Sequence, residues 1–204
     1  EKETGKKTYT ILQLRLHSNL IKLREKILTN SSDKKYEIDL TYITSRGKWY
    51  HQSWKGDIDK SGGISTNIGV HFFDMLIWIF GDHVENDIHI NNDDTASGTL
   101  TLENAKVNWF LSINAKNLPK KVVNEGKKTF RALKIEGEEF EFSDGFTELH
   151  TKSYEAILSG NGFDIDSARK AVEIAYLIRP KTYNLKLINL LNKFLINNKI
   201  LKDI

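Results

Sequence analysis

The sequence predicts an α+β fold in which an open, mostly antiparallel β-sheet carries helices on one face. Apolar and polar residues alternate, as in half-buried strands, in four successive segments: 84–91, 95–102, 106–115 and 129–142. Short turns connect most of these segments, so successive strands must run largely antiparallel. Apolar residues at helical spacing occur before and after them. With 39% hydrophobic residues among 204, the chain can form one substantial core.

The first part of the chain is predicted to alternate between helix and strand. Residues 1–7 resemble the last turn of a helix closed by Gly5, and residues 8–16 alternate like a strand rich in β-forming residues. A helix is predicted to begin at His17, and a long strand to occupy 35–45. Because a chain rarely opens on the last turn of a helix that leads into a buried strand, we expect a further domain upstream.

The chain is organised around a glycine turn and an apolar helix, predicted for about 65–80. Ser65 or Thr66 is expected to cap this helix, and Gly81 to end it in the left-handed conformation. Helical spacing produces two neighbouring stripes, one polar (Asn67, His71, Asp74, Trp78) and one apolar (Ile68, Phe72, Met75, Ile79). The apolar stripe predicts core. The polar stripe is either a satisfied polar core or the wall of a site.

The segments before and after the central helix also contain patterns that predict structure. The loop 46–57 is dense in aromatic and cationic residues, which fits either a structural Ω-loop or a ligand-binding loop. Glu136-Gly137 predicts a tight hairpin turn that divides the last strand segment. Helices are predicted for about 147–159 and 167–179, followed by an amphipathic helical extension over 181–204.

Composition excludes several classes of function. The net charge is +3, with no stripe of Lys and Arg interleaved with aromatics, so we expect no nucleic-acid partner. The chain has no cysteines, which excludes thiolate metal sites and agrees with a reducing compartment. It has no run of eighteen apolar residues, and its first seven residues are mostly charged. We therefore expect a cytoplasmic protein without a membrane partner.

Among the polar residues, His71 is a candidate acid or base, Asn67 an orienting amide and Lys55 a cation for an anionic group. A zinc site at His71 and Asp74 lacks a third ligand, so no metal is expected. The sequence has no Gly-x-Ser-x-Gly elbow and no Gly-x-Gly-x-x-Gly turn. The residues alone thus predict a substrate pocket between the loop 46–57 and the central helix.

A longer motif carries a family resemblance. The run Gly-Lys-Trp-Tyr-x4-Lys-Gly-Asp-x4-Gly-Gly-x3-Asn-x-Gly-Val-His-Phe-Phe-Asp, from Gly47 to Asp74, resembles the C-terminal domain of the glucose-fructose oxidoreductase and inositol dehydrogenase family. Within it, Trp54-Lys55-Gly56-Asp57, Thr66-Asn67-Ile68-Gly69-Val70-His71 and Leu12-Gln-Leu-Arg-Leu-His17 are most similar to UDP-N-acetylglucosaminuronate 3-dehydrogenases. The resemblance covers roughly residues 1–179.

The resemblance implies an NAD-dependent nucleotide-sugar dehydrogenase that oxidises the C3 hydroxyl of UDP-2-acetamido-2-deoxyglucuronate for O-antigen and other bacterial polysaccharides. It implies that residues 1–16 are the remnant of an absent N-terminal Rossmann domain that holds NAD, and that 17–180 form the substrate-binding and oligomerisation domain. The implied catalytic residues are His71 and Asn67. The implied substrate-binding residues are Lys55, Arg15, Gln13, Trp49 and Tyr50.

Three further expectations accompany this assignment. The family's glycine fingerprint and its Glu-Lys-Pro lysine have no counterpart here, so no residue of this chain is expected to bind NAD. Trp109, Leu111 and Ile113 alternate against Phe110 and Ser112, which predicts an outer sheet face apolar enough to bind a second copy. The alternatives are a non-catalytic sugar-nucleotide-binding or oligomerisation module, and a different sugar or polyol dehydrogenase of the same family.

Overall fold

A computed structural model describes residues 1–29, 34–140, 142 and 146–179 of the chain. Its strands are β1 (Tyr36–Thr44), β2 (His83–Asn91), β3 (Thr95–Leu102), β4 (Ala105–Ser112), β5 (Thr129–Ile135) and β6 (Glu138–Phe140). Its helices are α1 (Ser18–Thr29), α2 (Lys48–Gln52), α3 (Ile58–Ser61), α4 (Val70–Phe80), α5 (Lys120–Asn124), α6 (Leu149–Leu158) and α7 (Ile165–Ile178). The predicted helical extension 181–204 lies outside the described residues.

The six strands form one open sheet in the order β2-β3-β4-β1-β5-β6. Neighbouring strands are antiparallel except β1 and β4, which run parallel with Leu40 opposite Trp109. A parallel pair requires a long connection. Here that connection contains the central helix and two other strands. The predicted α+β class, with a mostly antiparallel open sheet, is confirmed.

Helix α4 packs between the sheet and two other helices, α1 and α7. Phe73 of α4 meets Trp109 of β4 edge to face, with ring centres 5.4 Å apart, and Phe72 lies 4.9 Å from Tyr42 of β1. Most of α4 is buried, and its sequence is apolar apart from His71 and Asp74. The helical run Ile58–Phe80 is apolar and long enough to cross a membrane, but 61% of its apolar window is buried inside the protein, as in an ordinary core helix.

The outer face of the sheet is more polar than the alternation predicts. Trp109, Leu111 and Ile113 are all buried on the face that the helices cover. The outer face carries Phe110 in the middle of a mixed polar surface, with a hydrogen bond of 3.0 Å from Asn108 to Asp39. Strand alternation explains this result, since Trp109, Leu111 and Ile113 share one parity and therefore one face, which leaves Phe110 as the large apolar residue of the other face.

The prediction of a strand over 8–16 is wrong. Only Thr10 forms a bridge, to Phe163, and residues Gln13–Leu16 form a short 3₁₀ helix. Leu12 and Leu14 are both buried against the helices. The alternation therefore reflects the burial of these two side chains, and this segment does not pair with a strand. The predicted helix end over 1–7 is instead a turn, closed by a hydrogen bond of 2.9 Å from the Gly5 amide to the Glu1 carbonyl.

The ends of the central helix also differ from prediction. Its first turn, Ser65–Gly69, is π-helical, and the hydroxyls of Ser65 and Thr66 are buried without hydrogen-bond partners in the described protein. Neither residue therefore caps the helix. Gly81 has φ +92° and ψ −173°, which is outside the left-handed helical region; a side chain there would meet Glu103. The loop 46–57 contains α2 and a 3₁₀ turn, Trp54–Gly56.

Candidate functional site

A cavity of about 320 Å³ opens between the 3₁₀ helix Gln13–Leu16, strands β1 and β5, and the start of the central helix. It brings together six of the seven residues that the sequence singles out, although they come from three separate segments: the 3₁₀ helix, the loop 46–57 and the central helix. Its lining consists of Gln13, Leu14, Tyr42, Arg46, Trp49, Tyr50, Lys55, Asn67, Ile68, His71, Phe72, Arg131 and Phe146. The pocket predicted between the loop 46–57 and the central helix is thus present in the structure.

Asn67 lies in the middle of the π-helical turn, and its Nδ2 donates a hydrogen bond of 3.0 Å to the Tyr50 hydroxyl. Tyr50 is itself buried, so this bond fixes the amide and leaves its carbonyl oxygen for the cavity. Single π-turns within α-helices occur frequently at functional sites. At Gly69 the turn passes so close to the sheet that a side chain would lie 2.7 Å from Phe73 and 3.0 Å from Leu111.

His71 follows one helical turn after Asn67 and is exposed through the mouth of the cavity. The crowding of protein around the imidazole lowers its pKa from the ordinary value of 6.5. Asp74 raises the pKa and His150 lowers it further, and the net direction is downward. A histidine with a lowered pKa is neutral at pH 7, and a neutral imidazole can accept a proton.

The cavity is cationic. Lys55, Arg46 and Arg131 line it, and among the described residues none of the lining side chains is acidic. Arg131 has its guanidinium carbon 3.8 Å from the centre of the Phe146 ring. The Oε1 atom of Gln13 is buried at the cavity wall without a hydrogen-bond partner in the described protein. This combination of cations and an unpaired amide favours an anionic ligand that also carries hydroxyl groups.

The structure does not bring Arg15 to the cavity, in contrast to the sequence-based expectation. Its Nη2 and Nε donate to the two carboxylate oxygens of Asp74 at 2.6 and 3.0 Å, and Nη2 also donates to the Ser167 carbonyl at 2.9 Å. Burial raises the pKa of Asp74, and the hydrogen bonds from Arg15 oppose that shift. A strand would place Gln13 and Arg15 on one face, but the three-residue period of a 3₁₀ helix turns them apart.

Sequence reasoning missed two of the cavity's three cations. Arg46 lies two residues after the end of β1, at the start of the loop for which a ligand-binding role was one of two interpretations. Arg131 shares the inner face of β5 with buried Leu133. The sequence does contain a signal for Arg131. It occupies an inward-facing position of an alternating strand, where a charge requires a partner.

Residues 34–121 match the model of an oxidoreductase family, C-terminal alpha/beta domain. The chain carries the C-terminal domain of that family, as the motif from Gly47 to Asp74 predicts.

Solved structures of two complexes of the WlbA (WbpB) dehydrogenase from Thermus thermophilus are similar to this chain at 45% sequence identity. The complex with NAD and α-ketoglutarate has a TM-score of 0.82 and covers 89% of this chain and 58% of its own. The complex with NAD and UDP-GlcNAcA has a TM-score of 0.81, with 88% and 57% covered.

The WlbA dehydrogenase from Bordetella pertussis, at 16% identity and a TM-score of 0.65, covers 87% of this chain and 61% of its own and supports the fold alone. The chain therefore spans less than two thirds of the length of these relatives.

Proposed function

We propose that this chain is the substrate-binding domain of an NAD-dependent dehydrogenase that oxidises the C3 hydroxyl of UDP-2-acetamido-2-deoxyglucuronate (UDP-GlcNAcA) in bacterial O-antigen biosynthesis. The observation that carries this proposal is the 45% identity, over 88% of the chain, to a dehydrogenase whose complex holds NAD and UDP-GlcNAcA. The cationic cavity that contains Asn67 and His71 agrees with it. The absence of cysteines fits a reaction in the cytoplasm.

In this proposal His71 removes the proton from the hydroxyl oxygen. Oxidation of an alcohol requires that a hydride leave carbon while a proton leaves oxygen. The lowered pKa keeps the His71 imidazole neutral at pH 7, so an unprotonated ring nitrogen is available to accept that proton. The products are then a 3-keto sugar, a protonated imidazole and the reduced cofactor.

Asn67 and Gln13 position the sugar ring. The hydrogen bond from Asn67 to Tyr50 fixes the amide plane, so its carbonyl oxygen can accept a hydrogen bond from a sugar hydroxyl. The unpaired Oε1 of Gln13 provides a second acceptor at the wall. Two acceptors on different elements limit the rotation of the ring and hold one hydroxyl beside His71, which lowers the entropic part of the barrier.

Lys55 and Arg46 provide positive charge for the pyrophosphate, and Trp49 lies beside them at the exposed rim. Arg46 is exposed and Lys55 half-buried, so both remain accessible from the cavity mouth. Phosphate oxygens accept hydrogen bonds from either cation, and the exposed indole offers an apolar surface to the nucleotide.

The described residues do not fit NAD. Binding of a dinucleotide pyrophosphate uses backbone amides in a glycine turn before a helix. The glycine pair before the central helix is filled by its own chain, since a side chain at Gly62 would lie 2.6 Å from the Thr66 hydroxyl. We therefore propose that another part of the protein holds NAD, and that residues 17–180 bind the sugar nucleotide and a second copy of the chain through the sheet.

Calorimetric titration of the 204-residue chain with UDP-GlcNAcA tests the proposal. We expect saturable binding that UDP displaces and that the Lys55→Gln variant weakens. Glu138→Gln, a change on the exposed strand β6, is the matched control and should leave binding unchanged. Absence of any saturable heat with UDP-GlcNAcA would count against the proposed substrate class. Binding without NADH formation by the complete protein would favour the non-catalytic module.

A further inference from the structure

Arg131 lies on the floor of the cavity, on the helix-covered face of β5 and opposite Tyr42 of β1. Its guanidinium carbon lies 3.8 Å from the centre of the Phe146 ring and 5.4 Å from that of Tyr42. Aromatic rings contact a guanidinium through its flat surface and leave the N–H edge free for a bidentate partner. The two rings thus fix the position of the side chain without using its hydrogen-bond donors.

Those donors have no partner among the described residues. Arg131 forms no ion pair with a described carboxylate, and its buried Nε has no hydrogen-bond partner there. Arg15, by contrast, is bound on two edges by Asp74 and Ser167. A partly buried guanidinium without a carboxylate is unfavourable unless a ligand provides the charge.

The size of the cavity indicates which part of the ligand reaches this floor. About 320 Å³ is at the lower end of small-molecule sites, which span roughly 300–1,000 Å³. That volume suits the sugar, while the uridine diphosphate extends past the exposed rim residues Arg46 and Trp49. An anionic group at the floor is then carried by the sugar itself.

We propose that Arg131 binds the carboxylate of the sugar and thereby determines the preference for acidic over neutral nucleotide sugars. This inference rests on the proposed function. A planar guanidinium forms two parallel hydrogen bonds with a planar carboxylate, a match that a lysine ammonium does not reproduce. A neutral sugar leaves the Arg131 donors unpaired, so the site disfavours it.

Titration calorimetry with two nucleotide sugars tests this assignment. UDP-GlcNAcA and UDP-N-acetylglucosamine differ only in that the second carries a hydroxymethyl group in place of the carboxylate. We expect the wild-type chain to bind the acid more tightly, and Arg131→Gln to reduce that preference by about 10- to 150-fold, the range of a charged hydrogen bond. Affinity for the neutral sugar should change by less than about threefold. Arg131→Lys should also reduce the preference for the acidic sugar.

Arg46→Gln is the matched control at the rim. It should weaken both sugars, and UDP alone, to the same degree and leave the preference intact. Thermal unfolding followed by circular dichroism verifies that each variant is folded. Equal losses for both sugars in folded Arg131→Gln or Arg131→Lys would overturn the inference and leave the proposed function standing. Failure of the wild-type chain to bind either sugar would overturn both.

Discussion

The ion pair between Arg15 and Asp74 joins the 3₁₀ helix to the central helix, and its removal tests how much this contact stabilises the protein. Its side chains are 15% and 3% exposed, so removal of the arginine leaves a buried carboxylate without a partner. Arg15→Met deletes three hydrogen bonds, two to Asp74 and one to the Ser167 carbonyl. Breaking a buried pair in this way costs about 3–5 kcal/mol, a large share of the roughly 5–15 kcal/mol by which a domain is stable.

The loss should depend on pH in a defined direction. Burial already raises the pKa of Asp74 above 3.8, and without Arg15 the hydrogen bonds that oppose this shift are gone. A group whose pKa is higher in the folded protein stabilises it fully below its unfolded pKa, and that contribution is lost as pH rises through the folded value. The deficit of Arg15→Met relative to wild type should therefore be smallest near pH 4 and largest at neutral pH.

Urea unfolding followed by circular dichroism, at pH values from about 4 to 8, measures this deficit. The double variant Arg15→Met, Asp74→Leu is the control, because it removes both charges. It should recover most of the lost stability, as replaced buried pairs commonly do. A deficit under about 1 kcal/mol at pH 7, or one that grows toward acid pH, would refute the argument that Asp74 needs Arg15.

Three other predictions follow from the site and the sheet. In the complete enzyme His71→Ala should lower kcat by about 10²–10⁴-fold. The acid limb of wild-type kcat/KM should lie below pH 6.5, because the protein crowded around the imidazole lowers the pKa of His71; unchanged turnover in a folded variant would exclude His71 from the proton transfer. The 204-residue chain should give no saturable heat with NAD, and submicromolar binding would contradict the assignment of the cofactor to another part of the protein. Sedimentation should show a dimer or tetramer at tens of micromolar if the outer sheet face around the half-buried Phe110 buries the area of a stable interface. A clean monomer would argue against pairing through the sheet.

Most of the fold could be predicted because helices, strands and turns leave patterns in residues that are close together in the sequence. The strand predicted for 35–45 is β1, and the helix predicted from His17 is α1. The hairpin at Glu136-Gly137 is present as well, with both residues at positive φ between β5 and β6. The strand predicted for 8–16 is wrong because alternation indicates only which side chains are buried. Whether a neighbouring strand supplies hydrogen bonds depends on residues far along the chain.

The site was predicted less completely, for a related reason. The contacts of Asn67, His71 and Tyr50 with the cavity follow from helical spacing and from one aromatic loop. Arg131 enters the cavity only because β5 pairs with β1, a contact between residues almost ninety positions apart that no local period encodes. Arg15 leaves it because a strand and a 3₁₀ helix place residues two positions apart differently.

The polar stripe of the central helix shows why its two interpretations could not be separated by periodicity. Asn67 and His71, on the first turns, line the cavity. Asp74, one turn later, is bound by Arg15. Trp78 follows on the next turn, where Arg24 donates to its carbonyl at 2.9 Å and lies 4.9 Å from its ring. The stripe is therefore a candidate site at its start and a satisfied polar core at its end. The satisfied half fixes the helix against its neighbours, and this rigid backbone carries the imidazole to the cavity.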